Sequence, residues 1–172
     1  MKRLIALLIT VCLSPAVHAQ VRTSFGDEVG TLDGIIKAYY DVVTVKKGEK
    51  VSYQRDSCLH VPNASVGMAR KGKDGNVNVR LITLRQYHDA SDAYLEKDGF
   101  WEREISRKVE HFGAVYHVWS TYESRNTTDG PVIDRGINSI ELYFDGKRFW
   151  ILSWVFDEES KENPIPKEYL KN

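Results

Sequence analysis

The sequence predicts an α+β protein in which three N-terminal helices pack on a strongly curved antiparallel sheet of about six strands. Apolar residues recur at helical spacing in the first half of the chain, whereas four long runs of alternating, aromatic and β-branched residues follow Gly99. Helices that come first and a long antiparallel sheet that comes second are typical of this class. We expect a single domain over residues 20–172, because that length suits one domain.

The first nineteen residues have the pattern of a removable export signal. Lys2 and Arg3 precede an apolar run from Leu4 to Leu13, and Val17-His18-Ala19 offers small residues for a peptidase. The run is too short to cross a bilayer, and the alternative is a buried N-terminal helix. We therefore predict a signal peptide over residues 1–19, a secreted or periplasmic bacterial protein, and no membrane attachment after removal of the signal.

Charge and composition exclude several classes of partner and cofactor. The 24 basic and 24 acidic residues cancel, so the chain lacks the excess of positive charge that nucleic acids and anionic membranes attract. The mature chain keeps one thiol, Cys58, which has no partner for an internal disulfide. The histidines lack the short spacing of zinc ligands, and no glycine-rich phosphate loop is present. We predict neither a metal nor a cofactor.

The elements follow from local signals. Thr31 caps a helix that extends to Val45 with apolar residues at helical spacing, residues 51–57 form a short second helix, and Thr83 caps a third. Two strands, 64–70 and 76–82, flank a turn that begins at Gly72. The four later strands are predicted at 100–111, 114–126, 133–144 and 147–157, and the tail at 163–166 is extended.

Strand register decides which side chains enter the interior. A two-residue turn at Asp145-Gly146 pairs Phe144 with Lys147, and a three-residue loop ending at Gly113 avoids placing two glutamates opposite each other. This register sets Glu102 opposite Tyr122 and predicts that the inner face carries Glu102, Glu104, Ser120, Tyr122 and Asn138. The outer face is aromatic, and we expect a second copy of the chain to cover it in a homodimer through Trp119, Trp150 and Trp154.

Several short segments, in their order and spacing, carry a resemblance to a known family. They are Ala38–Asp41, His60–Ala64, Phe100–Glu104, His117–Glu123, Arg135–Ile140, Arg148–Ile151 and Pro164–Pro166. Over about residues 29–170 the chain resembles the nuclear transport factor 2-like superfamily, in its SnoaL-like or lumazine-binding bacterial branch. The resemblance implies a cone-shaped fold with a cavity at its open end, and such chains often dimerise through the exposed sheet face.

This resemblance does not decide the function, because the superfamily includes isomerases, cyclases, dehydratases and binding modules. Its steroid-isomerase and dehydratase members rely on Asp or His–Asp pairs inside the cone. From the sequence alone we place no matching pair in this chain.

Three functions remain open from the residues. The first is an exported protein that binds a small hydrophobic or aromatic ligand in a cavity lined by Tyr40, Tyr87, Glu104, Ser120 and Asn138. The second is an isomerase or cyclase in which the catalytic residues are Glu102, as general acid or base, and Tyr122. The third is a dimeric interaction module without a ligand. Exposed pairing of the glutamates with Arg103 or Arg107 is the structural alternative to a catalytic role.

Overall fold

The computed structural model describes residues 25–170, so the predicted signal peptide lies outside the described residues. In this part of the chain the elements are α1 (Leu32–Val43), α2 (Tyr53–Ser57), β1 (His60–Lys71), β2 (Val77–Thr83), α3 (Leu84–Asp98), β3 (Trp101–Phe112), β4 (Val115–Arg125), β5 (Asp134–Phe144) and β6 (Phe149–Glu158). They agree in type and order with the elements predicted from the sequence. No helix within residues 25–170 is long and apolar enough to cross a membrane.

Each helix begins at a hydroxyl side chain. The side chains of Thr31, Ser52 and Thr83 accept hydrogen bonds from backbone N–H groups of the first turns of α1, α2 and α3. At Thr83 the side chain of Gln86 completes a capping box. The buried face of α1 supplies much of the core and includes Ile35.

The six strands form one sheet in the order β2-β1-β6-β5-β4-β3. This confirms the predicted α+β class and the number of strands. Neighbouring strands are antiparallel except β1 and β6, which are parallel. The sheet is therefore mixed. Its first strand, β1, lies beside its last strand, β6, and runs parallel to it, while β2 and β3 form the two edges.

The β5–β6 hairpin differs from the prediction. Phe144 pairs with Phe149, so the loop contains four residues rather than two. The Asp145 carboxylate holds this loop, since its Oδ1 accepts hydrogen bonds from the backbone N–H groups of residues 147 and 148. Further along, a bulge at Leu152 shifts the register and turns Trp154 into the interior, where it is 4% exposed. The prediction that Trp154 lies on the outer face is wrong.

The β3–β4 hairpin also differs. Phe112 pairs with Val115 across a two-residue loop, and a bulge at Ile105 shifts the register once. The result sets Glu104, not Glu102, opposite Tyr122, and Glu102 opposite Ser124. The predicted register of this hairpin is therefore wrong by two residues at the glutamates. Because a shift by two residues keeps the face, both glutamates still lie on the inner face.

The C-terminal tail covers part of the outer face. Thr121 Oγ1 on β4 donates a hydrogen bond of 2.7 Å to the carbonyl oxygen of Tyr169, and the Trp119 ring contacts the Tyr169 ring. Ile165 is buried against this face. The tail thus does some of the covering that the sequence suggested for a second copy of the chain.

Candidate functional site

A cavity of about 420 Å³ opens at one end of the cone, between α3 and the inner face of the sheet. Three of the residues predicted for a site line it: Tyr87 from α3, Glu102 from β3 and Tyr122 from β4. The sheet register explains how the carboxyl groups gather there. Glu102, Ser124 and Asp134 occupy one row across β3, β4 and β5. Glu158 lies opposite Gly136, two residues further along, and therefore on the same face.

Glu102 is the central acidic group of this cavity. Its side chain is largely buried, and among residues 25–170 its carboxyl accepts no hydrogen bond and pairs with no cation. Burial, and to a lesser degree the charge of Asp134, raise the pKa of Glu102 from 4.5 to about 8. The Glu102 carboxyl is therefore mostly protonated at neutral pH.

Two further carboxyl groups lie nearer the mouth. Burial raises the pKa of Asp134 above its usual range, and burial together with the charge of Asp134 raises the pKa of Glu158. Arg70 of β1 is the cation that lines the same cavity, and its charge partly opposes the rise at Glu158. The cavity wall is thus acidic overall when these groups are ionised.

Tyr122 places a phenol beside these carboxyl groups. The residue is 4% exposed, and burial followed by the charge of Glu102 raises its pKa well above the usual value. Its ring lies over Gly136 of β5, where an added Cβ would sit 2.6 Å from the Tyr122 hydroxyl oxygen and 2.4 Å from the Asp157 carbonyl oxygen. Glycine at position 136 is therefore what makes room for the Tyr122 ring.

The other predicted site residues form a closed hydrogen-bond network instead. Ser120 Oγ donates to Glu104 Oε1 at 2.6 Å, so the Tyr40 hydroxyl, 2.7 Å from Ser120 Oγ, donates to Ser120. The Tyr40 oxygen in turn accepts from Asn138 Nδ2 at 3.2 Å. Glu104 Oε2 pairs with Arg107 at 2.6 Å. Tyr40, Glu104 and Ser120 do not line the cavity of about 420 Å³; Tyr40 and Glu104 line a separate cavity of about 290 Å³ with Glu102. The predicted role of these residues in ligand binding stays a prediction.

A small void of about 40 Å³ adjoins the main cavity on the inner side. Glu102, Tyr87 and Tyr122 line both spaces, and Asp56 and Asn138 line the inner one. Asp56 comes from α2 and is 2% exposed. Its Oδ1 atom lies 3.3 Å from His60 Nδ1 but makes no hydrogen bond within the described part of the chain.

Two histidines, His60 and His88, contact Asp56. His88 Nε2 lies 2.9 Å from Asp56 Oδ2, and His88 Nδ1 lies 2.9 Å from Asp92 Oδ1. The Trp154 indole N–H donates to His60 Nε2 at 3.2 Å, so His60 Nδ1, 3.0 Å from the Asp56 carbonyl oxygen, carries the proton of that ring. A continuous chain of polar groups therefore links β6 to α2 and α3.

The protonation of this network follows from its partners. Because both nitrogens of His88 face carboxylates, both donate, and the ring is an imidazolium. Burial alone would lower the pKa of His88, but its hydrogen bonds and the charges of Asp56 and Asp92 raise it above 6.5. Burial likewise opposes ionisation of Asp56, yet the contacts with His60 and His88 lower its pKa.

Sequence reasoning missed this His–Asp arrangement. One signal was available, because His88 and Asp92 stand four residues apart on α3 and such side chains meet on a helix. The partner Asp56 lies on a helix of five residues and gave no signal of its own. Within residues 25–170 no cluster of three or more His, Cys, Asp or Glu side chains could hold a metal ion.

Solved structures share this fold. A proposed ketosteroid isomerase from Parabacteroides distasonis is 9% identical and matches 80% of this chain and 99% of its own, with a TM-score of 0.52. The beta subunit of a proposed aromatic-ring-hydroxylating dioxygenase from Novosphingobium aromaticivorans is 12% identical over 77% and 89%, with a TM-score of 0.55. An NTF2-like protein of unknown function from Methylobacillus flagellatus is 16% identical over 73% and 87%, with a TM-score of 0.48.

No protein-family model and no curated protein matches the chain. The two matches with TM-scores of 0.52 and 0.55 confirm the nuclear transport factor 2-like fold that the sequence predicts. At identities of this size they establish the fold and leave the function to the residues of the cavity.

Proposed function

We propose that this protein binds a small molecule in the cavity at the open end of the cone. The observation that carries the proposal is Glu102, whose carboxyl faces a space of about 420 Å³ without a partner from residues 25–170. Glu102 is half-buried, and burial without a partner disfavours the ionised form of its carboxyl. A ligand that hydrogen-bonds to Glu102 would supply that partner.

The walls of the cavity support the same proposal. Its volume lies within the range of about 300–1,000 Å³ that small-molecule sites occupy. Aromatic side chains, among them Tyr87 and Phe156, line it together with a few polar groups. A mostly apolar wall with few convergent polar groups is typical of a ligand site.

Filling the cavity provides the test. Ala90 and Ala93 are both exposed on α3, but Ala90 lines the cavity and Ala93 lines none of the cavities described. We expect aromatic compounds that bind the wild type in a thermal-shift and native mass-spectrometry screen to lose binding in Ala90→Trp and to keep it in Ala93→Trp. Equal binding by both variants, or no retained compound from the screen, would contradict the proposal.

Proton transfer in the same cavity is the second candidate function. A carboxyl with a pKa of about 8 exchanges its proton near neutral pH, as a general acid or base must. Tyr122 offers a phenol on the same wall, and its O–H can donate a hydrogen bond that stabilises negative charge developing on a bound oxygen. The similarity to a proposed ketosteroid isomerase agrees with this chemistry at the level of the fold.

Proton transfer requires that the Glu102 side chain can ionise, whereas simple binding does not. Glu102→Gln keeps the size of the side chain and removes its ability to ionise. For an isomerase-type enzyme we expect the variant to bind a ligand found in the screen but to lose exchange of the ligand's acidic C–H hydrogens with deuterated solvent. Unchanged exchange in the variant would exclude Glu102 as the base.

We further propose export and self-association, on sequence grounds and on the two outer tryptophans, Trp119 and Trp150. Expression of the full chain in a bacterium should yield a periplasmic protein whose first residue is Gln20, read by N-terminal sequencing. Light scattering should give twice the mass of the processed chain. An unprocessed cytoplasmic product would contradict the proposed export. A monomer at micromolar concentration would contradict the proposed self-association.

A further inference from the structure

We infer that the ligand of this cavity is an organic cation, a protonated amine or quaternary ammonium attached to an apolar body. This inference rests on the proposed binding function and names the class of ligand that the cavity takes.

The first argument is the charge of the lining. Three carboxyl groups, those of Glu102, Asp134 and Glu158, face one guanidinium, that of Arg70. Adjacent strands lie about 4.8 Å apart, so Glu102 and Asp134, in one row and two strands apart, are separated by about 10 Å. A ligand cation placed between them would relieve the mutual repulsion of the carboxylates and the burial of Glu102.

The second argument is the aromatic wall. Tyr87, Tyr94, Phe100 and Phe156 line the cavity together with Tyr122. The faces of aromatic rings attract ammonium groups by about 0.5–2 kcal/mol each. Carboxylates combined with several ring faces therefore favour a cation over an anion, which the same groups repel.

The third argument comes from the inner void and is independent of the carboxyl groups at the mouth. Asp56 is 2% exposed and lines the void of about 40 Å³. Its Oδ1 atom makes no hydrogen bond within residues 25–170, because the nearby His60 Nδ1, 3.3 Å away, donates to the Asp56 carbonyl oxygen instead. An acceptor buried in this way requires a donor. Glu102 lines both spaces, so an N–H donor that reaches Glu102 also approaches the void in front of Asp56.

Binding of a cation is then coupled to proton release. At neutral pH the Glu102 carboxyl is mostly protonated in the free protein, and a cation beside it favours the carboxylate. Other groups that act on Glu102 or face the cavity are Asp134, Glu158, Arg70, Tyr87 and Tyr122. Burial raises the pKa of both Asp134 and Glu158, and each carboxyl adds to the attraction once it is ionised.

A matched set of probes tests the inference. The set is 2-phenylethylamine, 2-phenylethanol and 3-phenylpropionate, which share a phenyl ring and differ in charge, with benzyltrimethylammonium as a cation without N–H groups. Affinities are measured by calorimetry from pH 6 to pH 8 in buffers of different ionisation enthalpy. Glu102→Gln is the test variant, and Glu110→Gln, on an exposed position of the same strand, is its matched control.

We expect the amine to bind at least tenfold more tightly than the alcohol at pH 8 and the carboxylate not to bind. Because a protonated Glu102 must lose its proton, amine affinity should rise about 50-fold between pH 6 and pH 8, with about one proton released at pH 7. The preference and the proton release should disappear in Glu102→Gln and persist in Glu110→Gln.

The outcomes separate the two proposals. Equal or tighter binding of the alcohol or the carboxylate, abolished by Ala90→Trp, would overturn the cation inference and leave the binding function standing. An amine affinity that changes neither in Glu102→Gln nor between pH 6 and pH 8 would also overturn the inference. If no probe of any charge binds at millimolar concentration, the cation inference fails, and the binding function stands or falls with the wider screen of aromatic compounds.

Discussion

Replacing Glu102 by glutamine should stabilise the folded protein at alkaline pH, although the residue lies in the candidate site. The pKa of Glu102 is raised to about 8, so the folded state holds this proton more tightly than the unfolded state does. Stability from such a group is complete below the unfolded pKa and declines as the pH rises towards the folded pKa. Glutamine carries no charge at any pH and avoids this decline.

The magnitude follows from the two pKa values. Each tenfold change in proton affinity corresponds to about 1.4 kcal/mol, so a pKa moved from 4.5 to about 8 corresponds to about 5 kcal/mol for a fully ionised Glu102. The carboxyl borders an open cavity whose water screens part of this cost. We therefore expect a difference of about 2–3 kcal/mol between pH 5 and pH 9.

Urea unfolding at a series of pH values measures this difference. The free energy of unfolding of Glu102→Gln minus that of the wild type should be near zero at pH 5, rise through pH 6–8 and level off near pH 9. Glu110→Gln, exposed on the same strand, should show no such rise. A difference that stays constant with pH, or one that falls as the pH rises, would refute the argument that Glu102 is buried without a partner.

Three further changes test the framework of the site. Asp56→Asn should cost about 3 kcal/mol in urea unfolding at pH 6, since it leaves the His88 imidazolium without its buried counter-ion. The cost should shrink as the pH falls below 3.8 towards the lowered pKa of Asp56, and as it rises above 6.5 through the raised pKa of His88; a pH-independent cost would contradict the charged pair. Gly136→Ala should cost about 1–3 kcal/mol and perturb the near-ultraviolet signal of Tyr122, whereas Gly26→Ala, with open space around it, should not. Ile165→Ala should cost about 2 kcal/mol and speed proteolysis of the tail, and unchanged proteolysis would argue against tail packing on the sheet.

The sequence predicted the order of elements because local signals determine them. Thr31, Ser52 and Thr83 each precede a helix and cap it, and the long alternating runs after Gly99 all form strands. The placement of Ser120 beside Asn138 is also confirmed, because no bulge interrupts the pairing of β4 and β5. Where local propensity and regular pairing suffice, the prediction and the structure agree.

The parts that escaped prediction depend on long-range geometry. Asp56 and His88 are 32 residues apart and meet only when α2 and α3 pack side by side. The carboxyl groups of Asp134 and Glu158 join Glu102 because three strands align their ends, and no local pattern records that alignment. The covering of Trp119 by the tail is a further contact between distant segments.

Two bulges, at Ile105 in β3 and at Leu152 in β6, decide which side chains of these strands point to the inner face. Regular pairing from the β3–β4 turn places Val109 opposite the buried Val118, and without a bulge it would bring Arg103 and Ile105 to the inner face. The extra residue at Ile105 reverses the faces and turns Glu102 inward.

The bulge at Leu152 acts in the same way on β6. Regular pairing beyond Ile151 would bring Ser153 and Val155 inward, but the extra residue brings Trp154 and Phe156 inward instead. Bulges are frequent beside functional sites because they redirect side chains without changing the fold. Glu102 and, among the aromatic residues of the cavity wall, Phe156 therefore reach the cavity because of two single-residue insertions in the strand pairing.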